Sequence, residues 1–147
     1  MLNISIKTFE QLSTKELYEL LQLRSEVFVV EQDCVYQDID GKDEMALHII
    51  GSYQDKIVAY TRCFDSGIYF DRAAIGRVIV REGYRKEGFG HDIMKASIEA
   101  IKKRFETEKI QLSAQTYLID FYRSHGFQTI GDEYLEDGIP HIAMITT

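Results

Sequence analysis

The segment Arg85-Lys86-Glu87-Gly88-Phe89-Gly90 directly follows the strand-like run Ile75-Gly76-Arg77-Val78-Ile79-Val80. Beyond it, Ile93, Met94, Ile98, Ile101 and Phe105 recur at helical spacing. A strand that turns sharply into a helix commits the chain to a layered α/β arrangement. The first N–H groups of such a helix have no intrahelical acceptor and carry a partial positive charge, so they bind phosphate oxygens well. Glycines at 88 and 90 let a ligand approach the backbone with no Cβ in the way. The stretch predicts a phosphate-bearing small molecule, although two glycines in such a turn also serve purely structural ends.

Two familiar phosphate motifs fail on spacing. No Gly stands four residues before a Gly-Lys-Ser/Thr string, as a P-loop requires. A dinucleotide fingerprint needs Gly or Ala three residues after Gly90, where this chain has Ile93. What remains is Arg-x-x-Gly-x-Gly behind a Val-x-Val strand. A second element lies downstream. Ile110-Gln111-Leu112-Ser113-Ala114-Gln115 reads as a buried strand, and residues 118–125 as a short helix closed by Gly126 at C′, after which Phe127 resumes extended structure.

Together these two elements resemble the GNAT acetyltransferases, whose signatures are a Gln/Arg-x-x-Gly-x-Gly/Ala turn and a later strand followed by a helix ending Phe-Tyr-x-x-x-Gly-Phe. The resemblance covers nearly the whole chain. The stretches Arg24 to Gln32 and Glu136 to Ile142 look most like the ElaA-type subgroup. It implies a mixed α/β fold: a central, mostly antiparallel mixed sheet flanked by helices and splayed between its fourth and fifth strands, with acetyl-CoA in the wedge. Here the fourth strand ends at Val80 and the fifth near Ala114. The resemblance further implies that the main chain of Val78, Ile79 and Val80 holds the pantetheine arm. The main chain of Arg85, Lys86, Glu87, Gly88, Phe89, Gly90 and His91 would hold the pyrophosphate.

Composition sets outer limits. A chain of 147 residues, 45% of them hydrophobic, fits one domain spanning 1–147 with a single core. No apolar run approaches a membrane span and no basic leader precedes an apolar stretch, so a soluble, cytoplasmic protein is expected. The net charge of −7 argues against nucleic acid. Cys34 and Cys63 lack C-x-x-C spacing and the four histidines are scattered, so neither disulfide nor metal is expected, and both thiols read as reduced and half-buried. Arg77, Arg81, Arg85 and Lys86 gather around the phosphate turn. Asp33, Asp38, Asp40, Asp43 and Glu44 crowd a segment that reads as a solvated loop or an electronegative rim.

The pattern predicts a first strand over 2–9 and a helix capped by Ser13 with Glu16 in the capping-box position. Leu17, Leu20, Leu21, Arg24, Val27 and Phe28 trace one face of that helix. A hairpin over 46–53 and 56–64 turns at Gln54-Asp55. Then follow strand 74–81, helix 88–106, strand 110–115, helix 117–125, and closing strands near 127–134 and 140–146. Those last strands read as exposed and compatible with a homodimer as well as a monomer.

Acetyl transfer to an amine needs a neutral nucleophile, a polarised thioester carbonyl and a proton for the departing thiolate. The resemblance implies direct attack in a ternary complex, so neither cysteine is a nucleophile. In the family's Phe-Tyr position stands Tyr122, which is either a proton donor to the leaving sulfur or an aromatic packing beside Leu118. The base is open: His141, after Pro140, is a catalytic or a structural histidine. His48 within a strand reads as packed, with the cleft as the alternative. Arg24, Glu31 and Gln32 are expected on the acceptor side, Arg24 because a charge on an apolar face invites a buried partner such as Glu26 or Glu31, or a substrate carboxylate. The expected activity is acetyl-CoA-dependent N-acetylation of a primary amine, on a small molecule or a peptide. The alternative is a non-catalytic acyl-CoA-binding or regulatory module of the same fold.

Overall fold

A computed structural model describes residues 1–146. Seven strands form one sheet: β1 (Asn3–Thr8), β2 (Leu47–Tyr53), β3 (Lys56–Phe64), β4 (Ala73–Val80), β5 (Ile110–Gln115), β6 (Phe127–Glu136) and β7 (Ile139–Thr146). Their spatial order is β1-β2-β3-β4-β5-β7-β6, antiparallel throughout except for the parallel pair β4 and β5. That pair is joined by α2 (Phe89–Phe105), the crossover that parallel strands require. β7 lies between β5 and β6, so the free edges are β1 and β6; the last strand is interior rather than exposed. Pro140 sits just outside the stretch of β7 paired to β5, where its missing N–H costs no ladder bond on that side.

The two faces of the sheet carry separate cores. α1 (Thr14–Arg24) begins at Ser13, whose hydroxyl accepts from Glu16 N–H while Glu16 accepts from Ser13 N–H. It buries Leu20 and Leu23 against Ile50, Ile57, Tyr60 and Ile79. Each such side chain contributes about 1.5–3 kcal/mol on full burial. On the opposite face α2 packs Ile93, Met94, Ala100 and Ile101 over Val58, Ala59, Ile75 and Leu112. The same core takes in Tyr122 from α3 (Ile119–Arg123).

The first helix departs from expectation. It does not run through Phe28 as one α-helix: from Ser25 to Glu31 the chain widens into a π-helix. The extra residue per turn turns Val27 into the core and brings Phe28 and Glu31 to the cleft wall. The later helix is likewise shorter than 117–125, with a 3₁₀ turn over Thr116–Leu118 leading into α3.

Candidate active site

β4 and β5 pair only at Ala73–Ile110 and Ala74–Gln111 and then part, β5 turning to β7 for its partner. From Ile75 onward β4 has no strand on that side, so backbone N–H and C=O groups on this edge face a cleft. The cleft has a volume of about 600 Å³. A β-bulge shapes the same strand. Between the pairs Arg62–Gly76 and Tyr60–Ile79, two β4 residues stand opposite Thr61, with Arg77 at φ +51°. The inserted residue reverses the alternation. Ala73 and Ile75 face α2 before the bulge, and Val78 and Val80 after it. Val78, Ile79 and Val80 all line the cleft.

At one end stands the glycine turn. Gly88 is the N-cap of α2 at φ +78°, a left-handed conformation that glycine adopts without a Cβ penalty. The first N–H to find a backbone acceptor is that of Asp92, bonded to Gly88 C=O at 3.2 Å. No side chain caps the helix, so the N–H groups of Phe89, Gly90 and His91 remain available. At Gly90 a Cβ would reach ordinary contact, 3.4 Å from the Phe121 ring and 3.7 Å from Val80, so packing alone does not require glycine there. Arg85 and Gly90 line the cleft, whereas Lys86, Glu87, Gly88, Phe89 and His91 lie beyond its wall. Phe89 is buried beside Tyr53, and the His91 ring packs on Phe121 with Nδ1 2.8 Å from His125 Nε2.

The basic residues near this turn are not free. Arg85 grips Glu31 through both terminal nitrogens at 2.7 Å and donates from Nε to Val80 C=O at 2.8 Å. Arg81 pairs with Glu26 and Arg77 with Asp38, each at 2.8 Å. Of the four, Lys86 is without a carboxylate partner among the described residues.

Arg24, expected on the acceptor side, does not reach the cleft. It is fully buried and absent from the cleft wall, with Nε 3.0 Å from Asp38 and a terminal nitrogen 2.7 Å from Asp43. A charge on an apolar helix face did have a buried partner, and it was the acidic segment. Nor do Asp38, Asp40 and Asp43 form a solvated loop: they meet Arg24, Arg62 and Arg77 in a closed, charge-balanced network, whereas Asp33 and Glu44 stay exposed. Burial pushes the Asp40 and Asp43 carboxyls up, but hydrogen bonds from Arg62 and Arg24 respectively outweigh it and hold both below the usual range. His48 belongs beside this network, not in the cleft. Its Nδ1 meets Tyr60 hydroxyl at 2.5 Å and its Nε2 meets Asp43 C=O at 2.9 Å, and burial depresses its basicity.

Glu31 and Gln32 do line the cleft, together with Tyr122 and His141. Tyr122 is 5% exposed, and its hydroxyl makes no hydrogen bond to protein among the described residues. Burial raises its pKa well above the ordinary phenol value, so it stays protonated at any working pH. The ring also packs edge-on against Phe121 and Phe127, so it serves the core as well as the cleft wall. His141 is 6% exposed; its Nδ1 lies 2.7 Å from Ile139 C=O, which fixes that nitrogen as the N–H donor. Nε2 is then the basic atom of the neutral ring. It lies 3.5 Å from a Glu136 carboxylate oxygen, and Tyr134 stacks over the ring while bonding Ser113.

Several wall residues carried no sequence signal of their own. Tyr36, Arg62, Tyr69 and Tyr117 reach the cleft from loops and from β3, and only the pairing of distant segments places them there. Glu136 and Asp137 were within reach, since Asp137-Gly138, both at positive φ, forms a two-residue hairpin turn. Cys34, partly exposed in the wall, contacts Asp137 C=O at 3.6 Å, whereas Cys63 is fully buried, not half-buried, with its thiol pushed up to about 12 by burial.

Comparison with known proteins agrees with this architecture. Residues 8–147 match the acetyltransferase (GNAT) domain family. Protein ElaA of Escherichia coli is 46% identical over 136 residues, covering 91% of this chain and 89% of that protein. Its crystal structure superposes over all of both chains with a TM-score of 0.93 at 42% identity. An acyl-CoA N-acyltransferase from Pseudomonas aeruginosa superposes equally completely, with a TM-score of 0.94 at 38% identity. A more distant neighbour, a GNAT family acetyltransferase from Elizabethkingia anophelis solved with acetyl-CoA bound, is 16% identical and shares the fold at a TM-score of 0.66, covering 99% of this chain and 97% of that one.

Proposed function

This chain belongs to the GNAT acetyltransferase family, and from that premise we propose that it is an acetyl-CoA-dependent N-acetyltransferase acting on a primary amine by direct attack. One observation carries the proposal: the wedge between β4 and β5 has an uncapped helix N-terminus near one end and a buried tyrosine and histidine in its wall. The residues fit the donor. The free N–H groups of Phe89, Gly90 and His91 suit a pyrophosphate, and the unpaired edge of β4 suits an amide-bearing arm and an acyl carbonyl.

Acetyl-CoA supplies an acetyl group activated as a thioester. The acceptor reaches the cleft mostly as an ammonium ion, since an unperturbed alkyl amine has a pKa of about 10.4. His141 Nε2 takes its proton, directly or through one water, and Glu136 stabilises the imidazolium that results. The neutral nitrogen attacks the carbonyl carbon, and N–H groups on the β4 edge stabilise the oxyanion. As the C–N bond forms and the C–S bond breaks, the Tyr122 hydroxyl donates a hydrogen bond to the departing sulfur. Complete proton transfer from Tyr122 is uphill, because a thiol titrates near 8.5, well below this buried phenol. Tyr122 therefore stabilises the thiolate; on collapse the nitrogen sheds its second proton, through water, to the thiolate, and His141 returns the first to solvent, leaving amide, free thiol and one released proton.

The test is thiol release from acetyl-CoA with a panel of amines, alongside calorimetry with CoA. Amine-dependent thiol release supports the transferase. Binding of CoA without any turnover supports a non-catalytic acyl-CoA module of the same fold. Absence of CoA binding overturns both.

A further inference from the structure

We propose that the acceptor is a primary amine carrying a second positive charge and no carboxylate, a class represented by aliphatic diamines. The inference rests on the transferase reading for the location of the acceptor, and it comes from how charge is compensated around the cleft.

Three guanidinium groups line the cleft: Arg62, Arg77 and Arg85. A carboxylate on the acceptor would need one of them, and each is already engaged. Arg62 holds Asp40 through both terminal nitrogens at 2.9 and 2.8 Å and Asp43 at 3.0 Å. Its Nε, buried without a partner, belongs to a cation whose charge those two aspartates already meet. Arg77 donates to the Asp38 carboxylate at 2.8 Å and to its C=O at 3.2 Å. Arg85 is spent on Glu31 and Val80. Breaking any of these to seat a substrate anion strands a protein carboxylate, a cost that is large where the pair is buried.

The acids of the wall are unequal. Glu31 is neutralised by Arg85, but Glu136 and Asp137 have no Lys or Arg partner among the described residues. They sit at the β6–β7 hairpin tip, beside a histidine that is nine-tenths buried and turns an unbonded Nε2 toward Glu136 at 3.5 Å. This end of the cleft therefore holds uncompensated negative charge around the proposed base. The reacting amine must lose its charge to act; an ammonium elsewhere on the same molecule keeps its own and is attracted to the remaining carboxylate. A second cation also favours the orientation in which the neutral end lies by His141.

The experiment compares 1,5-diaminopentane, pentylamine and 5-aminopentanoate, which share one aliphatic stem. Turnover is read by thiol release, and binding to the CoA-loaded protein by calorimetry. The diamine should exceed pentylamine by about two- to fivefold in kcat/KM, with 5-aminopentanoate poorest, and the advantage should shrink as salt is raised. Asp137→Asn, chosen because asparagine tolerates the φ of +51° at this position, should bring the diamine-to-monoamine ratio toward one. Circular dichroism and the CoA affinity of the variant show that it is folded. Pentylamine equal to the diamine, or 5-aminopentanoate preferred, overturns the acceptor class and leaves the transferase standing. Diamine binding that depends on Asp137, with no turnover of any amine, supports the class and sinks the transferase. Neither binding nor turnover of the diamine overturns the proposal.

Discussion

Arg77 donates from Nε to Oδ1 of Asp38 at 2.8 Å, and the other oxygen of that carboxylate accepts from Arg24 at 3.0 Å. One aspartate thus joins the bulged residue of β4, the end of α1 and the loop that leads from the π-helix to β2. The contact fixes where the loop carrying Asp38 stands relative to β4, the strand proposed to face the thioester. It also accounts for the left-handed backbone at Arg77, which costs about 1–2 kcal/mol in an L-residue. Moving the bulge would move the guanidinium off its partner.

Asp38→Ala should therefore destabilise the protein by about 3 kcal/mol or more, because Arg24 and Arg77 would lose a shared partner while Arg24 stays buried. Urea denaturation measures it. A loss below about 1 kcal/mol would mean that the loop relaxes and water reaches the arginines. Asp33→Asn, which removes an exposed charge outside the network and tolerates the φ of +49° there, is the control.

Acid should unfold this protein through the same network. Asp40 and Asp43 titrate lower in the folded chain than in the unfolded one, whose aspartates titrate near 3.9. Near and below that value the unfolded state binds more protons, so the stability these groups contribute is present above it and is lost as pH falls through their folded values. The urea midpoint should drop steeply below about pH 4.5. Asp40→Asn should flatten the drop while lowering the plateau.

The glycine turn separates two roles. Gly88→Ala meets no neighbour within 4 Å but must hold φ +78°, costing about 1 kcal/mol, and the strained N-cap misdirects the free N–H groups. Gly90→Ala has ordinary φ, and its methyl lands against Phe121 and Val80 in the cleft wall. Both should weaken CoA binding, but only Gly88→Ala should lower the urea midpoint clearly. Wild-type CoA affinity in both variants would remove the turn from the phosphate site.

Much of the fold was legible because it was local. The Ser13-Glu16 capping box, the Gln54-Asp55 hairpin and the strand–glycine–helix unit each lie within a few residues. The π-helix was not, since a 3.6-residue period runs smoothly from Leu17 to Phe28 and the widening is set by what Val27 and Phe28 must reach. Nor was the arginine–aspartate network, whose members come from α1, a loop, β3 and β4. A run of acids looks solvated until the partners arrive from elsewhere in the chain. The charge of Arg24 on an apolar face does imply a buried partner, but nearness in the chain points to Glu26 or Glu31, and the partners are Asp38 and Asp43 from the loop beyond.

The Arg85–Glu31 contact predicts an effect on the donor side. While Glu31 grips both terminal nitrogens, Arg85 has little left for a phosphate. Glu31→Gln should release it and tighten CoA binding several-fold, with a steeper salt dependence. Calorimetry at two ionic strengths decides: unchanged or weaker binding would show that Glu31 instead holds Arg85 in position.

Tyr122 offers the sharpest test of the chemistry. Tyr122→Phe keeps the ring that packs between Phe121 and Phe127 and removes one hydroxyl that bonds nothing in the protein among the described residues. Stability should barely change, since no buried partner is stranded. CoA affinity should hold as well. If the hydroxyl meets sulfur only as negative charge develops there, its loss should fall on kcat, by about 10²-fold. The pH profile adds a second reading. Because burial keeps this phenol protonated throughout, its removal should scale the whole profile down without shifting either limb, whereas replacing His141 should abolish the limb set by the base. A Tyr122→Phe variant with unchanged kcat at every pH would leave Tyr122 a packing residue and assign thiolate stabilisation to the β4 edge or to water.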